Sequence, residues 1–243
     1  HWSLADTEEI YETQQLVIGT NAMPTEDWVK ARIFSWMTSF LHFDKVLQIP
    51  LIILNMVCSI RFKDLIEVFT EGVASPTLSE IHTFFYDKAI DIQNGGAEYC
   101  ESKEWLNIWW PADELILIKL CTENKFGLFY AEAEKGLSRF LKKRGLSLPP
   151  DLLHEAILCN SKLIKLPFQK EDLIIELSYN IWEIYQAALR GKSISLENGK
   201  RKYLIDRSSL TWSSWEDWCR EVVWYGNKKG AYLYSCKQNE SKK

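Results

Sequence analysis

The sequence lacks the short motifs on which most metal sites and enzyme active sites depend. Its 6 cysteines include no C-x-x-C pair and no C-x-x-x-C-x-x-C cluster, and none of its 4 histidines belongs to an H-E-x-x-H pattern. These spacings argue against a zinc or iron–sulfur site built from neighbouring residues. The motifs G-x-S-x-G, G-x-x-x-x-G-K-[ST] and G-x-G-x-x-G are also missing. Neither a serine hydrolase nor a nucleotide-binding loop is therefore indicated.

A secreted disulfide framework and a membrane span are also not indicated. No signal peptide is visible, and several cysteines lie in apolar helical patterns, where a free thiol behaves as a small apolar group. The longest apolar stretch, 46–60, contains Gln48, Pro50 and Asn55 and is shorter than the ~20 residues that a membrane helix needs. We therefore predict a cytoplasmic protein in which this stretch is a buried helix.

Basic residues are not concentrated in any part of the chain. The formal net charge is -4, and the 29 Lys and Arg residues are scattered along the sequence. Proteins that bind nucleic acid usually carry a basic stripe or patch, because the phosphate backbone attracts it. We predict no nucleic-acid partner.

Apolar and aromatic residues, in contrast, are plentiful. Of the 243 residues, 47% are apolar and 26% are charged, which is the balance of a globular protein with a sizeable core. The chain also contains 11 Trp, 10 Tyr and 11 Phe. Large aromatic side chains either fill a core or line a pocket or interface, and composition alone leaves both uses open.

The hydrophobic pattern predicts a mainly α fold with a few short strands and a small β-hairpin near the C-terminus. We divide the chain into an extended N-terminal lead-in (1–24), a helical domain (25–191), a hairpin plus C-terminal helix packed on that domain (192–236), and a polar tail (237–243). The β-branched residues of 10–20 predict extended structure within the lead-in. Because the sequence does not begin with Met, we expect it to be part of a longer polypeptide.

Periodicity and end signals place the individual elements. The Asn198-Gly199 pair between 193–196 and 202–206 predicts the hairpin, and Ser213 or Ser214 is expected to cap the final helix, which would end at Gly226. A short strand is expected at 173–177 and an extended piece at 230–234. The predicted helices are 25–42, 46–58, 61–71, 76–92, 111–120, 126–144, 152–159 and 180–189.

The segment 94–111 is the predicted functional site. It combines a glycine-rich turn, which lets the backbone approach a ligand, with acids that bind polar groups and with several tryptophans. An alternative stays open, in which these tryptophans seal helices together and the acids face water; the cluster 212–225 has the same two interpretations. The candidate substrate-binding residues are Asn94, Gly95, Gly96, Glu104, Trp105, Trp109 and Trp110.

Three stretches resemble a known family: TEDWVKARIFSWMTSFLHFDKVLQIPLIIL (25–54), NGGAEYCESKEWLNIWWPADE (94–114) and SSWEDWCREVVWYGNKKGAYLY (213–234). Together they are similar to the C-terminal region of cobalamin-binding radical SAM proteins. The resemblance implies a mostly helical region that packs over a radical SAM barrel and helps to enclose the substrate. It also implies that [4Fe–4S], S-adenosylmethionine and cobalamin bind N-terminal parts of the same polypeptide, because this sequence has neither C-x-x-x-C-x-x-C nor D-x-H-x-x-G.

Three hypotheses about function follow. The first is an accessory domain of a cobalamin-dependent radical SAM enzyme, whose partners are the barrel and the cobalamin-binding domain and which has no catalytic, cofactor-binding or metal residues of its own. The second is a stand-alone helical protein that binds another protein or a small molecule in an aromatic pocket. The third is a cofactor-free enzyme that uses Glu98, Glu101 or Glu104 as a general base.

Overall fold

The computed structural model describes residues 15–71, 75–225 and 231–239. Within them the fold is mainly α with two small antiparallel sheets, which confirms the predicted class. The predicted ends at Gly72 and Gly226 lie outside the described residues. So does most of the predicted extended lead-in; its described part, 15–19, forms no strand, and Thr20 makes only an isolated bridge with Met23.

The first helix follows the prediction closely. Helix α1 spans Thr25–Thr38, with Glu26 and Asp27 in its first turn, where negative charge favours the helix dipole. It continues as a π-helical turn, Ser39–Phe43. The wider turn ends next to Asp44, whose side chain is buried.

The second helix confirms the expected buried element. Helix α2 spans Gln48–Cys58 and buries every residue from 48 to 54. Pro50 lies in its first turn, where N–H groups have no partner within the helix, so the missing N–H of proline costs no hydrogen bond. The helix ends at Ser59, which adopts a left-handed conformation (φ 55°).

A buried asparagine fixes the start of this helix to a later one. The Asn160 side chain accepts a hydrogen bond from Ile49 N at 3.0 Å and donates to the carbonyl oxygens of Lys45 (3.0 Å) and Val46 (2.8 Å). The Tyr130 hydroxyl donates to the same Val46 carbonyl at 2.9 Å. Because these bonds satisfy backbone groups inside the core, they hold the 44–46 connection in one position.

The remaining helices match the predicted ones to within a few residues. Ser214 is the N-cap of the last helix, as expected: its Oγ accepts a hydrogen bond from Asp217 N at 3.1 Å. That helix then continues as a π-helical turn, Cys219–Trp224. The helices are α3 (Phe62–Thr70), α4 (Pro76–Gln93), α5 (Ala112–Thr122), α6 (Phe126–Lys143), α7 (Leu152–Leu163), α8 (Ile181–Ala188) and α9 (Trp215–Trp218).

Five short strands complete the described fold. Strands β1 (Cys100–Ser102) and β2 (Ile108–Trp110) form a hairpin, and β3 (Leu173–Tyr179), β4 (Asn198–Asp206) and β5 (Ser235–Gln238) form a sheet in the order β3-β4-β5. The pattern of 98–110 fits either a strand or a short helix, and the structure places the first hairpin there.

The predicted strand at 173–177 is present as β3, and 202–206 lies in β4, but the predicted pairing of 202–206 with 193–196 is wrong. Residues 193–196 form no strand, and Asn198-Gly199 begins β4 instead of turning a hairpin. Strand β4 pairs instead with β3, in which Ile175, Leu177 and Tyr179 are buried, and with β5. Strand β5 also extends into the predicted polar tail, at Lys237 and Gln238.

In the described part of the chain, no single helix is long and apolar enough to cross a membrane. The helical segments Thr25–Phe43 and Gln48–Cys58 meet the length and composition requirement only as a pair, and they are bent by 92° relative to each other.

Candidate functional site

The glycine-rich turn of the predicted site ends helix α4. Gly95 has φ +90°, a conformation that L side chains rarely adopt, and a Cβ at Gly96 would lie 2.4 Å from the Asp91 carboxyl group. Gly96 N donates to the Asp91 carbonyl oxygen at 2.8 Å. Both glycines are thus explained by helix termination, and Asn94 and Gly95 are exposed to solvent.

The tryptophans of the predicted site follow β1 in the sequence: Trp105 lies in the turn of the β1–β2 hairpin, and Trp109 and Trp110 lie in β2. Trp105 N donates to Ser102 Oγ at 3.1 Å, and Trp110 Nε1 donates to the Trp105 carbonyl oxygen at 2.9 Å. Between them the chain reverses through Leu106 (φ 60°) and Asn107 (φ 49°), two consecutive left-handed residues. Hydrogen bonds and backbone geometry together fix Trp105 at the turn of the hairpin.

The predicted residues do not share one environment. Trp110 is fully buried, Trp105 and Trp109 are half-buried, and Glu104 is exposed. The structure brings Trp105 and Trp110 together, whereas Asn94, Gly95 and Gly96 lie before strand β1 and Glu104 lies after it. Their use in substrate binding stays a prediction.

Trp105 meets the second tryptophan-rich segment. Its ring centroid lies 6.0 Å from that of Trp215, and Trp215 also contacts Phe168 at 5.3 Å and Trp218 at 5.9 Å. We call Trp105, Phe168, Trp215 and Trp218 the aromatic junction. Centroid distances of this size are those of packed rings, so the junction joins the β1–β2 hairpin to α9.

Three carboxyl groups are buried where the first π-helical turn contacts α5. Asp44 follows the first π-helical turn, and Asp113 and Glu114 lie in the first turn of α5. Their exposed fractions are 1%, 8% and 0%. We call these three residues the carboxyl cluster. Charged groups are rarely buried without partners, so such a cluster marks a site at which protonation is controlled by the fold.

Burial raises the pKa of two members of the carboxyl cluster, Asp44 and Asp113. Burial raises the pKa of Asp44 well above its usual value, and the nearby charges of Asp113 and Glu114 raise it further. Burial also raises the pKa of Asp113 to about 6, although backbone N–H groups, the Ser39 hydroxyl and Arg32 oppose the shift. Carboxyl groups in this state can donate or accept a proton near neutral pH.

Asp44 also contacts the C-terminal segment. Its carboxyl group lies beside the Tyr232 hydroxyl, which donates to the Val223 carbonyl oxygen at 3.2 Å. One Asp44 oxygen, Oδ2, is buried and has no hydrogen-bond partner in the described part of the chain. Tyr232 therefore links the cluster to the segment that follows α9.

Two half-buried lysines adjoin these residues: Lys45 directly follows Asp44, and the Lys165 backbone is hydrogen-bonded to Trp218 and Tyr232. Burial lowers the pKa of Lys45 and of Lys165, and the charge of Lys45 lowers the pKa of Lys165 further. Trp218 Nε1 donates to the Lys165 carbonyl oxygen at 3.0 Å, and Lys165 N donates to that of Tyr232 at 2.9 Å. The carboxyl cluster and the aromatic junction thus form one continuous region, which we take as the candidate functional site.

Sequence reasoning did not single out Asp44, Tyr232 or the lysines. The one available signal was an acid next to a strongly apolar run, as in F-D-K-V-L at 43–47. That signal is weak, because acids also flank apolar runs at exposed helix ends. No group of three or more His, Cys, Asp or Glu side chains among residues 15–71, 75–225 and 231–239 has an arrangement that could hold a metal ion.

No family model and no curated protein matches this chain.

Proposed function

We propose that this chain is the accessory region of a cobalamin-dependent radical SAM enzyme, in which it helps to enclose the substrate against a catalytic barrel. The barrel and the cobalamin-binding domain would belong to the same polypeptide and would hold [4Fe–4S], S-adenosylmethionine and cobalamin. The residues of this chain would shape and close the substrate cavity. The groups that perform the radical chemistry would belong to the barrel.

The convergence of three distant stretches carries this proposal. The stretches 25–54, 94–114 and 213–234, on which the family resemblance rests, supply Asp44, Asp113 and Tyr232 respectively to the carboxyl cluster and its surroundings. The last two also supply Trp105 and Trp215 to the aromatic junction. Three stretches that are far apart in the sequence thus contribute side chains to neighbouring positions, as a shared role in one site would require, and this supports the proposal.

An exposed aromatic surface supports contact with another domain. Phe43 is 62% and Phe62 39% exposed, and their rings lie 5.3 and 5.4 Å from the His42 ring. We call these three side chains the Phe43–Phe62 surface. Phe43 directly precedes Asp44, so a domain that covered this surface would lie close to the carboxyl cluster. Exposed aromatic groups of this kind are typical of interaction sites.

The coding sequence upstream of His1 tests the proposal most directly. We expect it to encode C-x-x-x-C-x-x-C in the same reading frame, with D-x-H-x-x-G further upstream. The native polypeptide, purified without oxygen, should then contain iron and cobalt. A start codon directly before His1, with neither motif in the frame, would contradict the proposal.

Oxidative footprinting tests the proposed docking surface. In the native polypeptide, Phe43 and Phe62 should be oxidised by hydroxyl radicals more slowly than in the 243-residue chain, because the barrel would cover them. Leu128, which is 59% exposed on α6, is the matched control and should react equally in both. Equal oxidation of Phe43 in the two samples would contradict docking at this surface.

The alternative is a stand-alone helical protein that binds a small molecule or a partner. A groove of about 680 Å³ between α3 and α6 favours it, because this volume is in the range of ligand sites. Phe140 is the aromatic residue in its lining, so the site would be less aromatic than the sequence led us to expect.

A further inference from the structure

The groove between α3 and α6 has walls of opposite charge. Glu67 and Glu71 line it from α3 and from the residue that follows that helix, and Arg139 and Lys143 line it from α6. The apolar side chains of Val68, Leu78 and Phe140 also line it. A ligand in the groove would meet acids on one side, bases on the other and also apolar groups.

The basic wall keeps two charges available. Arg139 Nε donates only to the Lys135 carbonyl oxygen of its own helix, at 3.4 Å. Within the described ranges, neither Arg139 nor Lys143 forms an ion pair. At one end of the groove, by contrast, the Arg144 guanidinium pairs with the buried Asp64 carboxylate at 3.0 Å and stacks on the Phe140 ring at 4.6 Å. Arg144 therefore has a structural role, and Arg139 and Lys143 remain free to bind an anion.

A glycine on the floor of the groove is not required by packing. Gly136 lies in the middle of α6, where glycine is less stable than alanine by about 0.5–1 kcal/mol. A Cβ at this position would meet only Val68 Cγ1, at 3.6 Å, which is an ordinary van der Waals contact. The backbone does not need a positive φ here. What the glycine does provide is open space in the groove.

We infer that this groove binds a small zwitterion with an apolar body, such as a free amino acid or a short peptide. Its carboxylate would bind Arg139 and Lys143, and its apolar part would cover Phe140 and Leu78. Its ammonium group would bind Glu71 and would compete with Lys63, which lies 3.4 Å from Glu67, for the Glu67 carboxylate. This inference does not depend on the proposed accessory role, since the groove is formed by α3, α4 and α6 of this chain alone.

Binding can be measured by NMR titration of the 243-residue chain with L-leucine and with L-leucyl-L-leucine. We expect saturable shifts of the α3 and α6 amide signals at about millimolar concentration or below. A stronger response to leucine would identify an amino-acid site, and a stronger response to leucyl-leucine a peptide site. Absence of saturable shifts with both compounds would overturn the inference.

Two compounds that each carry only one charge test the use of both walls. N-acetyl-L-leucine has no ammonium group, and L-leucine methyl ester has no carboxylate. Each should bind about tenfold more weakly than the zwitterion, because one wall of the groove loses its partner. Equal affinity for all the compounds would mean that binding rests on nonspecific apolar contact alone, and it would overturn the inference.

Two pairs of variants locate the site. Arg139→Gln should weaken binding about tenfold, whereas Lys142→Gln, which removes the same charge from α6 outside this groove, should not. Gly136→Leu should fill the groove and abolish binding, whereas Gly127→Leu should not, because Gly127 has open space around it and does not line the groove. If Gly136→Leu fails to fold, the glutamine pair decides; equal effects of both glutamine variants would contradict the assignment.

Discussion

The indole rings of Trp105 and Trp215 lie 6.0 Å apart, centroid to centroid, and join a hairpin from the first half of the sequence to a helix near its C-terminus. Ring pairs at this distance stabilise a fold beyond the area they bury, by about 0.5–1.5 kcal/mol. The contact also unites the two tryptophan-rich segments that the sequence analysis treated separately.

A double-mutant cycle should detect this coupling. Trp105→Ala and Trp215→Ala are each expected to lower the free energy of unfolding by about 2–3 kcal/mol, less than for a fully buried tryptophan because both are half-buried. The double variant should lose about 1 kcal/mol less than the two single losses combined. Urea unfolding followed by circular dichroism measures all three. Trp182, which packs on Tyr185 instead, is the control and should show no coupling to Trp105.

Helix α4 depends on a carboxylate from another helix. Glu132 of α6 accepts hydrogen bonds from Thr77 N (3.2 Å) and Leu78 N (3.0 Å), two N–H groups with no partner inside the helix. Glu132→Ala should therefore lower the free energy of unfolding by about 1–2 kcal/mol. Glu134→Ala is the control and should have little effect, because Glu134 pairs with the exposed His154.

The same carboxylate should make the protein sensitive to acid. Burial opposes the shift, but the N–H groups of Leu78 and Thr77 lower the pKa of Glu132 below its usual value of 4.5. A lowered pKa in the folded state means that this stabilisation is present above pH 4.5 and is lost as the pH falls through the folded value. The difference in unfolding free energy between wild type and Glu132→Gln should thus shrink on acidification. A difference that stays constant from pH 7 to about pH 3 would contradict the role of the charge.

The helices could be predicted well because helix start signals and apolar periodicity depend on residues close together in the sequence. Pro76 at the start of α4 and Ser214 before α9 lie where proline and N-cap residues are favoured, and the structure has them there. The Asn198-Gly199 turn failed because strand pairing is decided by distant partners: Leu204 lies between Ile174 and Lys237 in the sheet. Strand β5 carries no apolar alternation to reveal it.

The candidate site was harder to predict than the fold. Nothing in the local sequence distinguishes Asp44 or Asp113 from acids at exposed helix ends. Their proximity could not be predicted either, because they are far apart in the sequence. Their burial arises only when the π-helical turn after α1 packs against α5. Trp105 was named from the sequence because it lies near glycines and acids, and the structure places it in the aromatic junction; its use in substrate binding stays a prediction.

The carboxyl cluster should make the fold less stable at neutral than at acidic pH. Burial raises the pKa of Asp113 from 3.8 to about 6, so the folded state holds a proton that the unfolded state has released. Its contribution to stability is present below pH 3.8, falls as the pH rises and is gone above about 6. Between pH 4 and pH 7.5 the unfolding free energy of the wild type should therefore fall by on the order of 2–3 kcal/mol from this group. Asp113→Asn should not show this decrease.

Denaturant titrations of both proteins at several pH values measure this effect. The exposed residue Asp87 provides the control variant, Asp87→Asn, which should follow the wild type at every pH. If Asp113→Asn also followed the wild type between pH 4 and pH 7.5, Asp113 would not be the group that titrates in the cluster.

The cysteines should differ in reactivity. Cys159 and Cys219 are fully buried, and burial raises the pKa of both thiols, so the reactive thiolate is scarce. Burial also raises the pKa of Cys58, but its side chain is only half-buried at the end of α2. Alkylation with iodoacetamide, followed by mass spectrometry, should modify Cys58 first and the other two only after unfolding. Early modification of Cys159 would mean that α7 opens readily.

Glycine substitutions should have opposite effects at two positions. Gly136→Ala should raise the free energy of unfolding by about 0.5–1 kcal/mol, because alanine favours the helix and its Cβ fits beside Val68. Gly191→Ala should lower it by about 1–2 kcal/mol, since Gly191 has φ +68° and a Cβ is strained there even in open space. Thermal and urea unfolding measure both. A loss of stability in Gly136→Ala would mean that packing requires this glycine, and the open groove would then be a by-product of helix packing.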